Sequence, residues 1–281
     1  MIRRRLTLVG TVQGVGFRPF VHRLAGEQGL TGSVRNQGGP VTVEIQGENE
    51  RVDGFIREMT SKLPPGARIE SCSQQSLAVH EAERGFRIAE SSQKNAGYPS
   101  LAPDSAPCPD CLREMRDPGD RRFRYPFIAC AVCGPRYTIA RELPHDRSRT
   151  AMACFTICPE CAREYADPAD RRFHAQGISC PVCGPRLWLV QAGSDRPPPQ
   201  GPPPADPAEA VLAASELLRQ GGVVAIKGIG GFLLAADASN ARAVDRIREI
   251  KMRRSKPLAL MVRDIEAARR LIRLHEQAEA W

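Results

Sequence analysis

Positions 5–12 alternate apolar and polar residues with the two-residue period of a strand. Phe17 to Gln28 follows a helical period and stops at Gly29. Leu30–Arg35 and Val41–Gln46 read as two strands across a turn, Asn36-Gln37-Gly38-Gly39-Pro40. Val52 to Leu63 predicts a second helix, with Phe55, Ile56, Met59 and Leu63 on one face and Pro64-Pro65-Gly66 ending it. Ile69–Val79 and Phe86–Ala89 supply further strands. The order βαββαβ over residues 1–91 is that of a ferredoxin-like sandwich.

Beyond it the pattern changes. Residues 92–107 are polar and contain proline, which predicts a linker. Residues 108–189 repeat themselves with a shift of 50: Cys108-Pro-Asp-Cys111 matches Cys158-Pro-Glu-Cys161, Arg121-Arg122-Phe123 matches Arg171-Arg172-Phe173, and Cys133-Gly-Pro-Arg136 matches Cys183-Gly-Pro-Arg186. Two copies of one small module follow, at 108–139 and 158–189. Residues 193–205 carry two Pro-Pro-Pro runs, a semi-rigid spacer. In the third region, 206–281, Asp206, Pro207 and Glu209 predict a capped helix start. Val223–Lys227 reads as a buried strand before the tight loop Gly228-Ile229-Gly230-Gly231. A helix from Ser239 to about Arg253, a strand at Leu258–Val262 and a helix capped by Asp264 complete it. The class is therefore α+β multidomain. A parallel α/β unit with so few strands is incomplete, so the chain is expected to be a fragment or a truncated product.

Length and charge narrow the classes. At 281 residues the chain holds roughly two domains. Forty Lys and Arg against 32 Asp and Glu give a net charge of +8, suited to anions such as phosphate. No apolar run of membrane-spanning length occurs. The basic start Met1-Ile2-Arg3-Arg4-Arg5 leads into a stretch broken by Thr7, Gly10, Gln13 and Gly14, which is not a signal peptide. A cytoplasmic protein is expected. Eight of the ten cysteines then read as metal knuckles rather than disulfides. Cys108, Cys111, Cys130 and Cys133, then Cys158, Cys161, Cys180 and Cys183, follow C-x2-C-x18-C-x2-C twice. Four thiolates at such spacing make a closed tetrahedral zinc site, normally structural, and two ions use all eight. Pairing within each copy is simplest, and exchange between copies stays open. Redox-active C-x-x-C would not need paired, repeated knuckles. Cys72 and Cys154 read as core or semi-buried thiols, and His22, His145 and His174 lack ligand spacing.

Gln13-Gly14-Val15-Gly16-Phe17-Arg18 lies between a strand and a helix. Its glycines let backbone N–H groups turn inward at a helix N-terminus, and Arg18 forks onto two phosphate oxygens. Asn36, at the end of the second strand, is suited to orienting a water for attack on phosphorus. This loop, with Gly29-Leu-Thr-Gly-Ser-Val-Arg-Asn36, resembles an acylphosphatase domain. The resemblance implies hydrolysis of a carboxyl-phosphate anhydride, with Arg18 on the phosphate and Asn36 on the water. In the third region, Lys227 to Asp237 and Lys251-Met-Arg-Arg-Ser-Lys-Pro-Leu258 resemble the YrdC-like domain, which binds ATP; Lys251, Arg253, Ser255 and Lys256 would lie near its nucleotide. Leu233 and Ala236 depart from that pattern, where His and Cys are expected.

The order of acylphosphatase-like domain, double zinc module and start of a YrdC-like domain resembles the HypF carbamoyltransferases of nickel-iron hydrogenase maturation. That resemblance implies hydrolysis of carbamoyl phosphate, reaction of carbamate with ATP to carbamoyl adenylate, and transfer to the C-terminal cysteine of a HypE-like acceptor for cyanide ligand synthesis. It further implies that this chain carries the hydrolytic step and the zinc scaffold, with part of the second step. A zinc-dependent RNA-binding protein is the alternative. Few aromatic residues, 5%, speak against it, because stacking platforms are scarce.

Overall fold

The structure, a computed structural model, describes residues 1–92, 101–191, 193 and 206–274. They divide into two compact units, Met1–Glu209 and Ala210–Trp281. In the first, β1 (Ile2–Thr11), α1 (Phe17–Glu27), β2 (Thr31–Asn36), β3 (Val41–Gly47), α2 (Asn49–Ser61), β4 (Arg68–Leu77) and β5 (Phe86–Ile88) build one sheet of order β4-β1-β3-β2-β5. The first four strands pair antiparallel in the ferredoxin-like arrangement. Strand β5 adds to the β2 edge in parallel. Alternation puts Leu6 and Leu8 of β1 and Val41, Val43 and Ile45 of β3 on the buried face, under Val21, Leu24 and Ala25 of α1 and Val52, Phe55 and Met59 of α2.

The linker expected at 92–107 is in part something else. Residues 93–100 lie outside the described residues. Leu101, however, bridges to Gln13, Ser105 bridges to Gly134, and Ala102 is buried in the first core. The strand-like contacts outweigh the polar composition because this stretch runs between the sandwich and the first cysteine module. That module holds α3 (Pro109–Arg116) and the second holds α4 (Pro159–Ala166). Each has a small core in which the cysteines themselves are the main apolar groups, joined by Tyr125 and Ile128 in one copy and by Ala175 and Ile178 in the other. Cys72 is half-buried, whereas Cys154 is exposed and not the semi-buried thiol expected, since it ends a short 3-10 turn, Ala151–Cys154, on the surface.

The second unit departs further from expectation. Helix α5 (Glu209–Arg219) starts at Glu209, with Asp206 accepting from the Ala208 N–H and, through its carbonyl, from the Glu209 N–H, so Glu209 is not at the third helical position. Strands β6 (Val224–Lys227) and β7 (Phe232–Ala235) form an antiparallel hairpin over the glycine loop, in place of a parallel unit. Only Val224 of β6 is buried, because the hairpin has no further strand beside it among the described residues. Helix α6 (Ala241–Ile250) is capped by Asn240, one residue past the predicted start, and α7 (Ile265–Leu271) by Asp264. Leu258–Val262 is not a strand: it makes no ladder with any described residue. The polyproline run at 194–205 lies outside the described residues.

Candidate active site

Arg18 sits in the first turn of α1, directly after the glycine loop. Gly14 and Gly16 take φ of 75° and 74°, the left-handed region that favours glycine, and a Cβ at either would meet the Arg136 or Val132 side chain at 2.9 or 2.8 Å. Gly16 caps α1 without any side-chain hydrogen bond, and Pro19 lacks an N–H, so the helix presents its first donors uncapped. The loop is held from behind by Gln13, which is buried. Its amide donates to the Gly39 carbonyl at 2.8 Å and accepts from the His145 N–H at 3.1 Å.

The mouth of this loop is walled by the cysteine region, as the sequence does not foretell. Arg136, 4% exposed, donates to the Gly14 carbonyl and to the carbonyls of Cys130 (3.2 Å) and Ala131 (3.1 Å). Arg18, His145, His174 and Gln176 line the same cavity. The Arg18 guanidinium meets the Asp146 carboxylate at 2.9 Å, Ser91 Oγ at 3.3 Å and the His145 carbonyl at 3.2 Å. Burial, followed by the nearby Arg136 and Arg18 charges, pushes the pKa of His145 down to about 4; burial and Arg18 do the same to His174. Both imidazoles are therefore neutral at pH 7. Asn36, 1% exposed at the end of β2, has no partner among the described residues for either its Oδ1 or its Nδ2. Residues after β5 link it to Arg18: Ser91 accepts from Arg18, and the Ser92 N–H donates to the Asn36 carbonyl at 2.9 Å. A buried amide with four unused hydrogen-bonding positions implies a polar guest beside it. The sequence does not assign Arg136, His145, Asp146, His174 or Gln176 to this cavity: Arg136 reads as part of the repeated Cys-Gly-Pro-Arg motif, and His145 and His174 as histidines without ligand spacing.

The eight cysteines gather within each copy. Sγ separations are 3.9 Å (Cys108–Cys130), 3.5 Å (Cys130–Cys133) and 3.5 Å (Cys111–Cys133) in the first. In the second they are 3.7 Å (Cys158–Cys180), 3.7 Å (Cys180–Cys183) and 3.6 Å (Cys161–Cys183). A tetrahedron with Zn–S bonds of ~2.3 Å has edges of about 3.8 Å, so both sets fit structural zinc. The copies also brace one another. Arg122, 1% exposed, pairs with Glu164 and donates to the Ser179 carbonyl at 2.9 Å. Arg172 pairs with Glu114 and donates to the Ala129 carbonyl at 3.2 Å. Arg121 donates to Cys161 Sγ at 3.0 Å, and Arg171 to Cys108 and Cys111 Sγ at 3.0 and 3.2 Å. Burial opposes the charge on Glu164, but the Arg122 and Arg121 hydrogen bonds outweigh it and hold the pKa at about 2.

In the second unit, Lys251, Arg253, Ser255 and Lys256 are exposed on the turn after α6. Arg248 gathers that turn by donating to the carbonyls of Arg253, Arg254 and Lys256 at 3.2, 3.3 and 3.0 Å.

Comparison with known proteins matches these regions one by one. The acylphosphatase family profile covers residues 4–88, the HypF finger profile covers 108–140 and 157–190, and the Sua5, YciO and YrdC profile, described as telomere recombination, covers 216–281. Carbamoyltransferase HypF2 of Cupriavidus necator is 49% identical over 268 residues, 95% of this chain and 32% of its own length. Over nearly its whole length this chain is similar to the HypF carbamoyltransferases. It spans about a third of the length of the HypF relatives it matches. A crystal structure of full-length HypF in the phosphate- and nucleotide-bound form is 39% identical and superposes with a TM-score of 0.88, covering 99% of this chain and 35% of that one. The first region belongs to the acylphosphatase family: the acylphosphatase of Oceanobacillus iheyensis is 39% identical over 85 residues, 30% of this chain and 93% of its own. The RNA-binding alternative is not favoured, since HypF fingers account for the cysteines and an acylphosphatase for the glycine loop. Among the described residues no helix is long and apolar enough to cross a membrane.

Proposed function

We propose that this chain hydrolyses carbamoyl phosphate at the Arg18 site, the first step of the HypF carbamoyl transfer. The observation that carries the reading is the conjunction of an uncapped helix N-terminus, a guanidinium with free donors and the unpartnered buried amide of Asn36. The loop N–H groups from Gly14 to Phe17 and Arg18 hold the phosphoryl oxygens. Asn36 accepts from a water and directs its oxygen at phosphorus. The new O–P bond forms as the bond from phosphorus to the acyl oxygen breaks, and carbamate departs as an anion needing no proton. The water's protons end in solvent and on phosphate. Catalysis is then positioning and charge stabilisation, with no covalent enzyme intermediate.

Zinc held by either set of four thiolates would be structural, since four protein ligands would leave no open position for substrate. The organisation we favour is an acylphosphatase domain over 1–91, tandem zinc modules over 108–189 and part of a YrdC-like domain over 206–281. Lys251, Arg253, Ser255 and Lys256 contribute to an ATP site there, consistent with the nucleotide in the related full-length structure. Carbamoyl adenylate, a HypE-like acceptor and a cytoplasmic setting complete the reading by family.

Phosphate release from carbamoyl phosphate and from a model acyl phosphate by the purified chain tests it. Arg18→Ala should lower turnover by at least about a hundredfold with the fold intact, because donors to the transition state are lost and no core packing is. Arg18→Lys should rescue poorly, since an ammonium makes no planar fork. Near-wild-type turnover by Arg18→Ala would sink the assignment.

A further inference from the structure

A guanidinium carries five N–H groups. On Arg18 three are engaged: Nη1 donates to Asp146 Oδ1 and Ser91 Oγ, and Nη2 to the His145 carbonyl. Among the described residues the Nε–H and one Nη2–H remain; with the His145 carbonyl on the Nη2–H that faces Nη1, they lie on one edge of the guanidinium plane. That edge is the fork that receives two oxygens of a single phosphate. The side chain is 11% exposed, so the acceptors fix its rotation as well as its charge.

A carboxylate this close to a phosphate site repels the ion, and swinging aside would remove the repulsion. The backbone that carries Asp146 is held in place. Its N–H donates to the Pro144 carbonyl and its carbonyl accepts from the Arg149 N–H, both at 2.8 Å. The next residue, Arg147, is clamped to the second cysteine module: its N–H reaches Gln176 Oε1 at 2.7 Å, and its guanidinium reaches the carbonyls of Gln176, Ile178 and Phe155 at 3.0, 2.8 and 2.9 Å. The carboxylate is therefore carried on a fixed stretch of backbone, 128 residues along the chain from the arginine it holds.

We propose that Asp146 is a positioning residue for Arg18, holding its Nη1 end so that the Nε–Nη2 edge faces the phosphoryl group, and that the segment between the two cysteine modules thereby completes the acyl phosphate site of the first region. This rests on Arg18 binding phosphate, as argued above. Substitution by Asn or by Ala removes the same negative charge, but only Asn keeps an acceptor for Nη1. The pair separates orientation from repulsion.

The measurement is the calorimetric Kd of inorganic phosphate for the whole chain and its variants, with zinc content and thermal midpoint checked on each. Asp146→Asn should bind at least as tightly as wild type. Asp146→Ala should bind about tenfold more weakly than Asp146→Asn, the loss of one charge-assisted hydrogen bond. Asp146→Ser, too short to reach Nη1, should behave as Ala and serves if Ala fails to fold. The KM for carbamoyl phosphate should rise in the same order. Equal Kd values for Asn and for Ala or Ser overturn the proposal, whether both are tighter than wild type or both unchanged. Arg18→Ala separates the two readings: if it binds phosphate as wild type does, the acyl phosphate site itself is wrong. If it loses phosphate while Asn, Ala and Ser at 146 stay alike, only the role of Asp146 is wrong.

Discussion

At positions fifty residues apart, the two cysteine modules make many of the same contacts, crosswise, and then part company. Asp117 and Asp167 each accept from an N–H two residues on, at 2.9 Å, and Arg122 and Arg172 each reach a glutamate of the other copy. Arg124 and His174 both take left-handed backbone, φ 57° and 52°, and both donate N–H to the carbonyl at the end of the neighbouring helix, Met115 or Tyr165. There the likeness stops. Arg124 pairs with Asp206 on the surface. His174 packs between Phe173 and Tyr165 and lines the Arg18 cavity. Backbone and ligands repeat because metal binding and the cross-braces require them. The side chain at the strained position is free to differ, and in the second copy it lines the cavity beside Arg18.

The widest test of this equivalence is metal. Chelation should remove ordered structure from both modules, 108–190, while β1 to β5 persist, since each structural zinc brings on the order of 10 kcal/mol of folding free energy to a module with little other core. Segment-resolved hydrogen exchange reads it, and modules that stay protected after complete zinc removal would refute it. Next, Glu114→Ala and Glu164→Ala should each destabilise the chain by about 3 kcal/mol in urea unfolding, since either leaves a buried arginine without its partner. Clearly unequal losses would mean that the likeness is geometric only.

Acid should act first through His145, in the segment between the two copies. His145 is held neutral, with a folded pKa of about 4 against an unfolded value near 6.5. The unfolded chain binds more protons between these values, so stability falls as pH drops from about 6.5 to 4, by of order 3 kcal/mol from this residue, and levels off below. His174 adds to the same window. Glu164, at about 2 when folded, extends the loss from about 4.5 downward. Chemical denaturation across pH should show a shallower fall in His145→Phe, and an unchanged profile there would exclude this source. The smallest effect sharpens the contrast at its centre. Arg124→Ala should cost about 1 kcal/mol or less and leave hydrolysis as it is, the usual worth of an exposed ion pair. His174→Ala should raise KM for carbamoyl phosphate severalfold. The reverse pattern would reassign the two positions.

Much of this was legible in the residues. The first sheet follows from period-two alternation, because one face of each strand is buried and the other is not. The cysteine sets follow from spacing, because a knuckle is a local structure. Strand β7 was not legible: Phe232-Leu-Leu-Ala is a short apolar run without alternation, and its pairing depends on the glycine turn before it. Leu258–Val262 has the composition of a strand but no ladder to join. Arg18 and Asn36 can be nominated from the loop and strand around them. Asp146, His145 and Arg136 do not, since contacts across more than a hundred residues leave no period or spacing to read.

The crosswise glutamate and arginine pairs have one further meaning. Residue i of one copy meets j of the other while j of the first meets i of the second, the reciprocity of an isologous interface between two identical subunits. Here both subunits lie in one chain. A true homodimer must change both partners with every mutation, and its assembly depends on concentration. Covalent fusion removes both conditions: the halves meet at a fixed effective concentration, and either can be altered alone. A symmetric pair thus becomes able to support an asymmetric site.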